Sequence, residues 1–343
     1  MMWFYDYCGI PLASQLELPA LPLSERMPPK HSTPTLVSSM GASASAGAWV
    51  TDAERDPRTN RSPEIQIQFG SVAPSLDNEQ RRTAAFAHNG REALWWLDGI
   101  GRFRISANGR QIQVEPAPDA DPAALGLMLL QPIMALASLR RSDWMLQAAA
   151  VERDGRVFAL IGPSASGKST AAALLLKRGF RLVSDGLLRV TRADDGTWLA
   201  WPQAPWLQLW PDAAQRLEIN EADLAPVRAG LRLQRWSQPC VTKALPLARI
   251  GLLREQRGND LEGFVPSQRA GTRGVETLLA HTAGNTWLEE LADRRALFHW
   301  AIGLKAGVPV ERLEVPWGWG RLAALGEQLA AWCEGEINDS QSP

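Results

Sequence analysis

The sequence predicts an α/β protein, α+β overall, in which a β-rich N-terminal part at residues 1–116 precedes an α/β domain at residues 117–335. In the first part, apolar and polar side chains alternate with the two-residue period of strands, as in Ile65–Phe69. In the second part, short apolar runs alternate with helical stretches. One such run, at 157–161, leads through a glycine-rich loop into a helix that ends at Gly179.

The N-terminal part is predicted to be mostly antiparallel β-structure, with strands joined by turns. The aromatic-rich residues 3–13 predict a strand, and Asn108-Gly109 predicts a tight turn between strands at 101–106 and 111–115. Residues 28–62 are rich in Ser, Ala, Gly, Pro and Thr and predict a flexible insertion. Further strands are predicted at 65–69 and 92–98.

The second part opens with a helix, because Asp121-Pro122 supplies an N-cap and a proline at the first helical position, and the helix runs towards Arg140-Arg141. A hairpin at 144–151 and 157–161, turning at Asp154-Gly155, enters the glycine-rich loop. The remaining predicted elements are strands at 187–191, 198–201, 248–253 and 310–315, helices at 275–279 and 287–303, a short strand with a helix within 204–217, and a frayed polar tail at 336–343.

The composition argues against several classes of protein. The 343 residues carry 36 Lys and Arg against 37 Asp and Glu, and this balance predicts no nucleic-acid partner and no anionic membrane surface. Three cysteines in no metal-ligand spacing indicate reduced thiols. The apolar stretch 123–139 is interrupted and slightly short for a bilayer, which predicts a buried helix. Since the N-terminus has no features of a signal peptide, we expect a cytoplasmic protein.

The glycine-rich loop carries the motif Gly162-Pro-Ser-Ala-Ser-Gly167-Lys-Ser-Thr170, which is the Walker A pattern between a strand and a helix. Glycines let the backbone wrap a phosphate, and the helix N-terminus offers free N–H groups and the positive end of its dipole. The pattern predicts ATP and Mg²⁺ as cofactors, with Lys168 on the β and γ phosphates and Ser169 on the metal. The predicted cofactor-binding residues are Gly162, Ser164, Ala165, Ser166, Gly167, Lys168, Ser169 and Thr170.

A second candidate, Asp185, follows Lys168 by 17 residues, after the next apolar run. ABC- and RecA-like ATPases place their acidic residue much further along the chain, so they fit poorly. Nucleoside-monophosphate and shikimate-type kinases do place an aspartate here, although their phosphate loop lies at the extreme N-terminus. The loop and this spacing predict a functional role for Asp185, and a solvated aspartate at a strand end is the alternative. Lys168 and Asp185 are the candidate catalytic residues.

Six segments follow one another in the chain: YCGIPLASQLELPAL, PDADPAALGLMLL, LQAAAVERDGRVFALIGPSASGKST, KRGFRLVSD, APWLQLWPDA and VPVERLEVP. The phosphate loop is the specific one, and the others contribute by their order and spacing. With these segments the chain resembles the HPr kinase/phosphorylase superfamily, and especially HPr-kinase-like proteins of ribosomal peptide pathways such as those for lasso peptides.

This resemblance implies a P-loop domain of the HPr-kinase/PEP-carboxykinase-like kind at residues 117–335. It implies ATP and Mg²⁺ at 162–170, with Asp185 and Ser169 at the metal and Asp185 also activating the acceptor hydroxyl. The implied acceptor is a serine of a peptide or small protein, with a ribosomal peptide precursor as one option. Kinases of this type tend to form oligomers, so a homo-oligomer is also an option.

Three positions depart from the pattern of that superfamily. Gln147 stands where a histidine is usual, Gly186 where a second acidic residue is frequent, and Gln208 near a glutamate of the HPr kinases proper. Each change removes a titratable group. Three hypotheses therefore stay open: a serine kinase, a nucleotide-binding accessory protein with weak or no transfer, and a small-molecule kinase. His281 is a further candidate for the site, with a structural role as its alternative.

Overall fold

The computed structural model describes residues 2–18, 64–228, 230–255, 265–269, 273–315 and 319–335. The predicted insertion at 28–62 and the predicted tail at 336–343 lie outside these residues. The chain forms two compact units, Met1–Ser142 with Trp287–Ala292, and Asp143–Thr286 with Asp293–Pro343. This division falls after Ser142, whereas the sequence-based boundary falls after residue 116; the difference is the helical segment that follows residue 121.

The first unit contains, within the described residues, an eight-stranded sheet of order β1-β2-β3-β8-β7-β6-β5-β4. The sequence-based expectation of mainly antiparallel pairing is confirmed, except that β3 pairs in parallel with both β2 and β8. The Asn108-Gly109 turn joins β7 to β8 as predicted. The strands are β1 (Trp3–Tyr7), β2 (Ile10–Ser14), β3 (Ile65–Phe69), β4 (Arg81–Arg82), β5 (Phe86–His88), β6 (Ala93–Leu97), β7 (Gly101–Ile105) and β8 (Gln111–Pro116).

The prediction of a single strand at 3–13 was wrong, because these residues form the β1–β2 hairpin. Its turn lies at Cys8 and Gly9, which adopt φ angles of 53° and 74°. The Gly9 amide donates a hydrogen bond to Oδ1 of Asp6 at 2.6 Å, which stabilises the turn. A non-glycine residue with positive φ is uncommon, and the alternation of apolar residues does not reveal it.

The predicted helix after residue 121 is present. It consists of α1 (Pro122–Met128), a π-helical turn at Leu129–Ile133 that contains Pro132, and α2 (Met134–Arg141). Asp121 caps it by accepting a hydrogen bond from the Ala123 amide at 3.0 Å. The Tyr7 hydroxyl donates to the Leu130 carbonyl at 2.7 Å, inside the π-helical turn.

This continuous helix, Pro122–Arg141, is long and apolar enough to cross a membrane by length and composition, with a mean hydropathy of 1.7 in its most apolar window. It is the one such helix among the described residues, and 61% of that window is buried inside the protein. Core helices of globular domains meet the same criteria. The burial agrees with the predicted buried helix.

The second unit is built on a seven-stranded sheet, counted over the described residues, of order β10-β9-β11-β12-β16-β18-β17. Because β10 also pairs with β16, five of these strands close into a cycle. A small sheet of order β13-β15-β14 lies in the same unit. The strands are β9 (Met145–Arg153), β10 (Arg156–Ile161), β11 (Arg181–Arg192), β12 (Trp198–Ala200), β13 (Trp206–Leu209), β14 (Leu224–Pro226), β15 (Gln234–Ser237), β16 (Leu245–Glu255), β17 (Val265–Arg269) and β18 (Val310–Val315).

The helices of this part of the chain are α3 (Lys168–Leu176), α4 (Pro211–Arg216), α5 (Arg273–Ala280), α6 (Leu288–Leu291), α7 (Arg294–Gly307) and α8 (Leu322–Glu334), where α6 belongs to the first unit. The predicted helix at 287–303 is interrupted before α7, where Asp293 accepts a hydrogen bond from the Ala296 amide at 3.0 Å as an N-cap. Helix α8 was not predicted from the sequence. The mixed α/β class is confirmed.

The main sheet of the second unit is covered on both faces. Along β10, Phe158 and Leu160 belong to a core shared with α3 and α8, whereas the alternate residues Ala159 and Ile161 belong to a core shared with α5 and α7. We refer to these two sides as the α3 face and the α5 face. The strands of this sheet are therefore apolar along almost their whole length, as expected where both faces of a sheet are buried.

Helix α8 is attached to the sheet by a buried polar network. The indole Nε1 of Trp332 donates to Oε2 of Glu311 at 2.6 Å, and Arg249 donates to the carbonyl oxygens of Trp332 and Gly335 at 3.1 and 2.7 Å. Arg249 and Glu311 are both buried, 3.8 Å apart at their nearest charged atoms. Buried charges of this kind are stable only while their hydrogen bonds are satisfied.

We predict that Trp332→Phe destabilises the protein by about 1–3 kcal/mol, because it leaves the buried Glu311 carboxylate without the indole N–H that donates to it. Urea unfolding monitored by circular dichroism would measure this change. Glu327→Gln, at an exposed position of the same helix, is the matched control and should change stability by less than about 0.5 kcal/mol. An equal, small effect of both substitutions would contradict a structural role for the network.

Candidate functional site

The predicted phosphate loop connects β10 directly to α3, so all eight predicted cofactor-binding residues lie in one strand–loop–helix segment. Gly162 adopts a φ of 155°, and a Cβ there would lie 2.6 Å from Oγ of Ser166 and 3.1 Å from the Leu253 carbonyl oxygen. Gly167 is the N-cap of α3 with a φ of 81°. Both glycines of the motif are therefore required by the backbone and not only by a ligand.

Lys168 folds back over its own loop. Its Nζ donates hydrogen bonds to the carbonyl oxygens of Gly162 at 3.0 Å and Pro163 at 2.8 Å. Burial lowers the pKa of this ammonium group, and the nearby charge of Asp185 acts in the opposite direction. A partly desolvated cation held at the start of the loop is suited to an anionic ligand.

Asp185 is brought to Lys168 and Ser169 by a β-bulge in β11. The pairing of β11 with β9 shifts register between Leu182 and Ser184, and this extra residue turns Asp185 to the α3 face, opposite Ala149. Regular alternation from Leu182 would place Asp185 on the other face. The bulge therefore decides which side of the sheet carries the carboxylate.

The Asp185 carboxylate is held by two hydrogen bonds and is only 8% exposed. The Ser169 hydroxyl donates to Oδ1 at 2.8 Å, and the Gln208 amide on β13 donates to Oδ2 at 2.8 Å. Burial raises the pKa of Asp185 to about 6, while the two hydrogen bonds and the charge of Lys168 limit the rise. The alternative of a solvated strand-end aspartate is thus not what the structure shows.

Gly186, Gln147 and Gln208, the three positions at which the sequence departs from the HPr-kinase pattern, lie on β11, β9 and β13. Gly186 follows Asp185 with a φ of 121°, and Gln147 is exposed on β9, opposite Leu187. Gln208 contributes its backbone amide to Asp185, a role that the sequence analysis missed because it considered the side chain alone. Because the donor is a backbone N–H group, the type of residue at position 208 does not indicate this contact.

The residues present fit a Mg²⁺–nucleotide complex better than a metal held by protein alone. Within the described ranges there is no group of three or more His, Cys, Asp or Glu side chains that could hold a metal. Mg²⁺ is commonly bound by one or two carboxylates together with substrate phosphates and water, and Ser169 with Asp185 supplies such a set. Ser166 adds a buried hydroxyl at the loop for which the described residues provide no hydrogen-bond partner.

Comparisons with known proteins give little. No protein-family model matches the chain, and no curated protein matches it. Among solved structures, the chain is similar to the Hpr(Ser) kinase/phosphatase from Coxiella burnetii, with 12% sequence identity and a TM-score of 0.30 over 55% of this chain and 95% of that chain. A likeness this weak establishes neither the fold nor the activity of this chain.

The raised pKa of Asp185 predicts a pH-dependent stability change in Asp185→Asn. The folded state favours the protonated form, so the aspartate costs stability progressively as the pH rises from about 4, its unfolded pKa, through about 6. Without nucleotide, we expect Asp185→Asn to be more stable than the wild type by about 1–3 kcal/mol at pH 8 and equally stable at pH 4. Urea unfolding across this range measures it.

The control for this experiment is Asp194→Asn, at an exposed turn position. The free energy of unfolding of this variant should change with pH in the same way as that of the wild type. If Asp185→Asn were less stable than the wild type at pH 8, the partners of the carboxylate would stabilise it more than burial destabilises it. This result would contradict a raised pKa of Asp185.

Proposed function

We propose that the protein is an ATP- and Mg²⁺-dependent kinase that transfers the γ-phosphate to a hydroxyl group, the acceptor being a serine of a peptide or small protein. The observation that carries this proposal is the contact of Asp185 with Ser169 at the helical end of an intact phosphate loop, beside Lys168. A nucleotide held by the loop would place its terminal phosphate next to a buried carboxylate, as phosphoryl transfer requires.

Each residue has a defined part in this proposal. The loop amides, the N-terminus of α3 and Lys168 bind the phosphates, and Ser169 with Asp185 would hold Mg²⁺. Bound Mg²⁺–ATP supplies the phosphoryl group and neutralises charge on it. Asp185 accepts the proton that the acceptor hydroxyl loses.

A second candidate function is a nucleotide-binding accessory protein with little or no transfer. The observation that favours it is the composition of the site: Asp185 is supported by an amide and a hydroxyl, while Gly186, Gln147 and Gln208 offer no further carboxylate or histidine. Binding of nucleotide is then expected without a phosphorylated product. A small-molecule kinase would use the same residues and differ in its acceptor.

The nature of the partner and the location belong to the same proposal. The resemblance to the HPr-kinase-like proteins supports three further parts of the proposal: a ribosomal peptide precursor as acceptor, a cytoplasmic location and a homo-oligomeric state. The near-neutral charge of the chain favours a peptide or protein acceptor over nucleic acid. Phosphorylation of peptides encoded near this chain, set against a panel of metabolite hydroxyls, would separate the two kinds of kinase.

The proposed activity is tested by ATP turnover with Mg²⁺. We expect Lys168→Ala and Asp185→Asn each to lower turnover by about 10²-fold or more, since one removes a phosphate contact and the other the base. Lys305→Ala and Asp194→Asn, at exposed positions, are the matched controls and should retain wild-type turnover. Tight nucleotide binding without turnover, with peptide acceptors added, would favour the accessory protein.

Restoring a second carboxylate at Gly186 is predicted to fail for a structural reason. With a φ of 121°, position 186 is strained for any residue with a side chain. We expect Gly186→Asp and Gly186→Ala to lower stability by similar amounts, about 1–3 kcal/mol, with no gain in turnover. Thermal unfolding and the turnover assay measure both effects. A stable Gly186→Asp protein with faster transfer would show instead that the missing carboxylate limits catalysis.

A further inference from the structure

The phosphate loop leaves the sheet at a point where another segment takes the place of β10. β10 pairs with β9 as far as Ile161, which lies opposite Ala148. Beyond this point the residues after α5 cover β9: the Gln147 amide donates to the His281 carbonyl oxygen at 2.8 Å, Leu146 bridges to Thr282, and the Ala283 amide donates to the Met145 carbonyl oxygen at 2.7 Å. His281 is therefore fixed next to the start of the loop.

Arg254 reaches the same edge of the sheet from β16. In the parallel pairing of β10 with β16, Ile161 lies opposite Leu252, so Arg254 extends two residues beyond the last paired residue of β10. Ile250 and Leu252 belong to the core on the α5 face, and the alternation along the strand places Arg254 on that face as well. Its position is exposed.

His281, Arg254 and Lys168 are thus brought to the start of the loop from three separate elements. His281 is half-buried, and its pKa is lowered first by burial and then by the charges of Lys168 and Arg254. The charges of Lys168 and Arg254 therefore both act on the His281 imidazole. A bound anion beside these groups would offset this repulsion and favour the charged form of the imidazole.

We propose that His281 and Arg254 form a second contact for the terminal phosphate of the bound nucleotide, on the α5 face, across the loop from Ser169 and Asp185. This inference rests on the proposed function. The loop, Lys168 and the N-terminus of α3 hold the phosphates from one side, and His281 and Arg254 donate hydrogen bonds to the terminal phosphate from the other. Neither residue is part of the phosphate-loop motif.

The test compares nucleotides that differ in the terminal phosphate. Binding of AMP-PNP and of ADP, each with Mg²⁺, is measured by isothermal titration calorimetry on the full chain. We expect His281→Asn and Arg254→Met each to weaken AMP-PNP binding about tenfold and ADP binding by less than about twofold, as for loss of one charge-assisted hydrogen bond. Arg254→Lys, which keeps the charge, should retain most of the AMP-PNP affinity.

Matched controls are His299→Asn and Arg295→Met, both at exposed positions of α7, which should bind both nucleotides as the wild type does. Unchanged AMP-PNP affinity in both site variants, or equal weakening of AMP-PNP and ADP, would overturn the inference and leave the kinase proposal in place. A wild-type protein that binds neither nucleotide would overturn the proposed function and this inference together. Circular dichroism of each variant without ligand shows that the fold is retained.

Discussion

The site depends on keeping one carboxylate out of water beside a lysine. Asp185 has two hydrogen-bond donors and a nearby cation, yet burial dominates and raises its pKa to about 6. Each donor comes from a different element, α3 for Ser169 and β13 for Gln208. The packing of these elements around Asp185 therefore sets the environment of its carboxylate, because displacing either element would leave the carboxylate unsatisfied or expose it to solvent.

The bulge in β11 is the local feature that makes this arrangement possible. Without the extra residue between Leu182 and Ser184, the aspartate would point to the α5 face, away from Ser169. Gly186 then continues the strand with a φ of 121°, so the residues on both sides of Asp185 depart from regular strand geometry. Irregular backbone next to a buried charge is a common feature of functional sites.

Local signals in the sequence predicted the loop, its helix, the hairpin that feeds it and the pairing of Asp185 with the loop. Glycine spacing and short apolar runs are patterns of a few neighbouring residues, so a single sequence is enough to recognise them. The β1–β2 turn was missed because it depends on a positive φ at Cys8. The Gln208 amide was missed because a backbone donor reaches Asp185 from 23 residues along the chain. The break before α7 depends on the Asp293 cap inside a region of helical spacing.

The location of His281 follows from the departure of β10 from the sheet, which also creates the loop. A strand that turns away to wrap a phosphate leaves the backbone of its neighbour unpaired, and buried backbone groups must find partners. In this chain the residues after α5 satisfy β9 at Met145, Leu146 and Gln147. Whatever side chain stands at the first of these covering positions lies beside the phosphate loop. The closure of the sheet therefore places His281 beside the loop. Because His281 lies far from the motif in the sequence, local sequence patterns do not predict this position.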